Sequence, residues 1–60
     1  MEADLDYYRR RTAEEARAAG QARDVRVRDV HLDLARLYEE RAAQIEAQRL
    51  DVHLTLVPAS

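Results

Sequence analysis

From Val27 to Ile45 the apolar residues recur at steps of three and four. Val27, Val30, His31, Leu34, Leu37, Tyr38, Ala42 and Ile45 fall on one stripe, while Arg28, Asp29, Arg36, Glu39, Glu40, Ala43 and Glu46 fall opposite. That spacing matches the 3.6-residue turn of an α-helix with one face turned from water. Asp24 immediately precedes the pattern and suits the N-cap position, where its carboxylate can accept a backbone N–H of the first turn. The spacing predicts a helix over about 25–48.

The residues before this stripe form a second helical segment. Leu5 to about Ala22 is rich in strong helix formers, with Asp4 as the expected N-cap and Asp6 in the first turn, where a carboxylate offsets the positive helix end. Leu5, Tyr8, Thr12, Glu15 or Ala16, and Ala19 are the inward candidates. Asp6 with Arg10 and Glu14 with Arg17 have the spacing of ion pairs on the outer face. Gly20 weakens the last turn, and the break is placed at Arg23 and Asp24.

A turn of two residues makes the helices antiparallel neighbours. Pairing about Arg23 and Asp24 sets Ala19 near Val27, Ala16 near His31, Thr12 near Leu34 and Ala35, Tyr8 near Leu37 and Tyr38, and Leu5 near Ala42. Small residues of the first helix thus face larger ones of the second. The expected core and interface set is Leu5, Tyr8, Thr12, Ala16, Ala19, Val27, Val30, His31, Leu34, Leu37, Tyr38, Ala42 and Ile45.

After Gln48 the pattern changes. Leu50, Val52, Leu54 and Leu56 alternate with Asp51, His53 and Thr55 up to Pro58, which predicts a short strand-like or extended tail over about 50–57. Its apolar face, Leu50, Val52, Leu54 and Leu56, would need a neighbour, because a lone strand leaves its backbone unpaired.

Length makes association the leading expectation. A chain of 60 residues is one domain, 1–60, and buries only ~60% of the surface its unfolded form exposes. With no cysteine, disulfides and thiolate metal sites are excluded, and without Phe or Trp the core is thin. The fold predicted is all-α: an antiparallel hairpin that dimerises into a four-helix bundle through Val30, Leu34, Leu37, Ile45 and their first-helix partners.

The chemistry-bearing residues favour structural roles. His31 lies level with Glu15 and Ala16; a general base or metal ligand oriented by Glu15 is one reading. A half-buried histidine bonded to a carboxylate and setting helix register is the favoured one, since two short helices barely form a pocket. A di-metal bundle needs Glu-x-x-His, and Arg28 occupies the position three before His31. Asp51 and His53 share one strand face, so a two-fold axis could assemble a zinc site there; a converging tetrahedral set is the requirement against it. Tyr8 and Tyr38 read as packing residues, and Tyr7 as the more exposed of its pair. Phosphate loops, nucleophile elbows and Ser/His/Asp arrangements are absent, so neither enzymatic activity nor a cofactor is expected.

Charge points the same way. The net charge is −2 and every basic residue is Arg. The Arg9-Arg10-Arg11 run with Arg23, Arg26 and Arg28 hints at a nucleic-acid regulator, but Asp4, Asp6, Glu14, Glu15, Asp24 and Asp29 interrupt it. No apolar run reaches bilayer length and no signal peptide opens the chain, so a cytoplasmic location and no membrane contact are expected.

The segments Asp4-Leu5-Asp6-Tyr7-Tyr8-Arg9-Arg10-Arg11, Ala13-Glu14-Glu15, His31-Leu32-Asp33-Leu34-Ala35 and Tyr38-Glu39-Glu40 carry a resemblance. The chain resembles short bacterial helical-hairpin proteins with a Tyr-Tyr-Arg-Arg-Arg opening and a later His-Leu-x-Leu-Ala-x-x-Tyr segment. It departs from them at Val25, where those proteins often have Pro. The resemblance covers the two helices, leaves out the tail, and implies the hairpin without an activity. The expected function is a small non-enzymatic interaction module, an adaptor or regulatory subunit, whose partner is a second copy (as a homodimer) or another protein. The alternative is a small nucleic-acid-associated regulator using the arginine clusters.

Overall fold

The computed structural model describes residues 2–56 and consists of two helices, α1 (Asp4–Gln21) and α2 (Val25–Leu56), packed as a hairpin. Among the described residues there is no strand.

Each helix boundary has a local cause. Ala3 is the N-cap of α1, extended at φ −67° and ψ 150°, and its carbonyl accepts the Tyr7 N–H at 2.9 Å. Asp4, expected as the cap, is instead the first helical residue, and no side chain caps this end. Asp4 and Asp6 compensate by placing two carboxylates in the first turn, against the positive helix terminus. The helix ends where Ala22 turns extended, at φ −72° and ψ 133°, with its N–H bonded to the Ala19 carbonyl at 3.3 Å. Gly20 stays inside the helix with no positive φ, so it neither ends nor kinks α1.

Asp24 caps α2 as expected. Its Oδ1 accepts the Arg26 N–H at 2.7 Å, and its carbonyl accepts the Arg28 N–H at 2.9 Å. These bonds satisfy donors that the helix cannot partner itself.

The expected end of α2 near Gln48, and the strand-like tail after it, are corrected. The helical backbone continues through Leu56. Adding residues to an existing helix needs no new nucleus, whereas a lone strand has no partner for its N–H and C=O groups. Position 57, and the side chains of Leu50, Val52, Leu54 and Leu56, lie outside the described set.

Packing between the helices is close because much of the shared face is alanine. Leu5, Ala19, Ala35 and Ala42 are buried, and Tyr8, Thr12, His31, Leu34, Tyr38 and Ile45 are half-buried. Ala16, expected in the core, is exposed; its neighbour Glu15 takes the inward position. No large side chain is fully buried among the described residues.

The hairpin is one layer deep. It measures 56 × 24 × 11 Å, with a radius of gyration of 15.7 Å against ~10 Å for a compact chain of this length. Its accessible surface is 5153 Å², about 1,100 Å² more than the ~4,000 Å² of a compact monomer of 7.0 kDa. Domains ordinarily bury their apolar faces between two layers, and this chain supplies one.

Candidate interaction surface

Three groups of side chains lie on the hairpin, and each owes its position to the helical period. The first joins the helices about two turns from their connection. His31 and Glu15 meet with His31 Nδ1 2.7 Å from Glu15 Oε1. A carboxylate only accepts, so the Nδ1–H is the donor. The other oxygen, Glu15 Oε2, accepts from Arg11 at 3.1 Å. Glu15 is only 7% exposed, yet both carboxylate oxygens have partners and no described buried polar atom is left unsatisfied. A carboxylate buried this way needs such partners to offset its lost hydration.

The second group is aromatic. Tyr8 and Tyr38 face each other across the helices with ring centroids 6.0 Å apart. Tyr7 meets Tyr8 edge-on at 5.2 Å and Tyr38 edge-on at 6.5 Å. Guanidinium groups lie over all three rings: Arg10 over Tyr7 at 5.3 Å, Arg11 over Tyr38 at 5.2 Å and Arg41 over Tyr8 at 6.0 Å. Edge-to-face pairs and cations over ring faces are both favoured by the ring quadrupole. Tyr8–Tyr38 and Glu15–His31 obey the same antiparallel pairing, so the register follows the expected one, with Glu15 in place of Ala16. Thr12 satisfies its hydroxyl within α1, donating to the Tyr8 carbonyl at 2.8 Å.

Arginine and glutamate form the third group, and it differs from the expected pairing. Arg10 reaches back to Glu2 at 3.0 Å and forward to Glu14 at 2.8 Å, rather than to Asp6. Glu14 also pairs with Arg11, rather than with Arg17. Arg9 crosses to Glu46 on α2. Arg11, and then Arg10, hold the Glu14 carboxyl below its ordinary range. In turn Glu14, with Tyr38, raises Arg11 above the usual guanidinium range, and Glu2 with Glu14 does the same for Arg10. The whole Arg9-Arg10-Arg11 run is therefore engaged with carboxylates.

Beside its charged residues the hairpin leaves large apolar side chains uncovered, Tyr7, Leu32 and Val25 among them, and three more fall in line along α2. Val27 is 47% exposed, Val30 56% and Leu37 60%, with half-buried Leu34 between them. These four share one stripe of α2 along the flank of its contact with α1. Leu37 also borders an open groove of roughly 330 Å³, lined by Tyr8, Tyr38, Glu40, Arg41 and Gln44. Of the core and interface residues expected from the sequence, Leu5, Ala19 and Ala42 pack within the hairpin, whereas Val27, Val30 and Leu37 point outward. Ala35 and Glu15 belong to the buried set as well. Ala35 falls one turn after His31 on the same face, which is the signal that could have found it.

No group of three or more His, Asp or Glu side chains converges among the described residues. The side chains of Asp51 and His53 lie outside that set. No helix among the described residues is long and apolar enough to cross a membrane. Comparison with protein-family models, curated proteins and solved structures finds no match to this chain.

Proposed function

We propose that this chain is a small non-enzymatic interaction module, an adaptor or regulatory subunit, that works in the cytoplasm as a homodimer built like a four-helix bundle. One observation carries this reading: Val27, Val30 and Leu37 are exposed along a single stripe of a hairpin one layer deep. Scattered exposed apolar residues are ordinary, and an aligned stripe beside an aromatic groove supports the reading of a surface for another protein. A phosphate-binding role has less support, because the arginine run of α1 is paired with carboxylates.

The test is a variant carrying Val30→Asp and Leu37→Asp. Both positions are more than half exposed, so the hairpin itself has little to lose. Size-exclusion chromatography with light scattering at micromolar concentration is expected to give a dimer for the parent and a monomer for the variant. A parent that elutes as a monomer, or a variant that remains dimeric, contradicts the proposal.

A further inference from the structure

The order of charges along α2 deepens the homodimer reading, and the pairing geometry it defines rests on that reading. Val27, Val30, Leu34 and Leu37 are spaced by three, four and three residues, the seam of a helix pair. The next two seam positions, Arg41 and Gln44, are polar, so the apolar seam is confined to the first half of the helix.

We infer that two copies pair through α2 in antiparallel fashion about a two-fold axis level with Leu32 and Asp33, with Arg26 of each copy facing Glu40 of the other. In that arrangement Val27 lies opposite the second copy's Leu37, and Val30 opposite its Leu34. All four apolar residues then meet apolar residues, and the symmetry repeats each contact. Arg26, Asp33 and Glu40 line the flank of the seam away from α1 and are all exposed. The axis pairs Arg26 with Glu40 twice, opposite charges at the rim of a buried stripe.

Competing arrangements fit less well. Sliding the copies seven residues one way sets Val30 against Arg41 and Val27 against Gln44. Sliding seven the other way carries Leu34 onto Arg23, in the turn before α2 begins. A parallel pair stacks Arg41 on Arg41, aligns the two helix dipoles, and gives Arg26 and Glu40 no opposite charge across the seam. The antiparallel solution keeps two kinds of unfavourable contact, Arg41 against the second copy's Arg23 at each end of the seam and Asp33 against Asp33 at the axis. The contact at the axis makes the register testable.

The chain has no cysteine, so a single substitution gives one thiol per copy. Under mild oxidation D33C is expected to form a disulfide-linked dimer. R26C and E40C alone are expected to stay largely unlinked, while an equimolar mixture of the two cross-links. D33N should tighten the dimer. R26E should raise the dimer Kd by about tenfold, by losing two opposite-charge contacts and creating two like-charge ones, and R26E with E40R in one chain should restore it. Rapid self-linkage of E40C with D33C unlinked places the pair in a slipped register and overturns the inference. Equal linkage of all three single variants overturns it too. In both cases a dimer by light scattering leaves the homodimer reading standing; a monomeric parent removes both.

Discussion

His31 Nδ1 lies 2.7 Å from Glu15 Oε1, and this contact ties the second turn of α2 to α1 about two turns before its end. It is a polar bond in a face made mostly of alanine, leucine and tyrosine, with Thr12 and Ile45. Apolar contacts alone tolerate a shift of one helix along the other when the facing residues are as small as Ala19, Ala35 and Ala42. A directed bond to a buried carboxylate does not, because any slip takes His31 away from Glu15 and leaves the carboxylate with Arg11 alone.

Glu15→Ala is therefore expected to destabilise the hairpin by about 1–3 kcal/mol, and His31→Ala by somewhat less, since Arg11 still holds the carboxylate. The double variant should be less unstable than the two losses added together, because each single change already breaks the shared bond. Urea unfolding followed by circular dichroism measures all three. Strict additivity would show that the pair does not act as a unit.

Gly20 gives a prediction of the opposite sign. It lies within α1 at negative φ, and a Cβ built there meets nothing within 4 Å. Gly20→Ala should stabilise the protein by about 0.5–1 kcal/mol, through the lower backbone entropy of the unfolded chain. At fixed protein concentration that corresponds to a rise of roughly 2–8 °C in Tm. An unchanged or lower Tm would mean that the end of α1 is not helical in solution.

Acid should loosen the arginine and glutamate network at one identifiable place. Arg11 and Arg10 hold the Glu14 carboxyl below its ordinary value of 4.5. A group with a lowered folded value stabilises the fold fully above its unfolded value, and that contribution disappears as pH falls through the folded one. Helicity should accordingly decline below about pH 4.5, and Glu14→Gln should lack that part of the transition. Because these groups are exposed, 1 M salt should remove most of the difference between parent and variant. An identical acid transition in Glu14→Gln would show that Glu14 contributes nothing to it.

How far the sequence could be read differs along the chain. The three-and-four spacing from Val27 to Ile45 showed that α2 exists, and Asp24 marked its start though not its end, because helical period and side-chain capping are both local. Pairing of Tyr8 with Tyr38 followed from the short turn alone. The choice between Glu15 and Ala16 was not legible: burial of a glutamate depends on His31 and Arg11 both reaching it, a property of two helices together. Leu50 to Leu56 misled for a related reason. Alternation describes which residues are apolar, but whether a strand forms depends on a neighbour, and extension of an existing helix needs none. Val30 and Leu37, expected between copies, point outward; Val27, expected against Ala19, does so as well because the stripe is broader than one helix can cover.

Whether the uncovered stripe of α2 is the seam of a homodimer can be decided by sedimentation equilibrium with circular dichroism across a dilution series. A helical dimer is expected at high concentration, losing helicity as it dissociates, since one layer with no fully buried large side chain among its described residues is marginal alone. A monomer that stays fully helical at every concentration would contradict the homodimer.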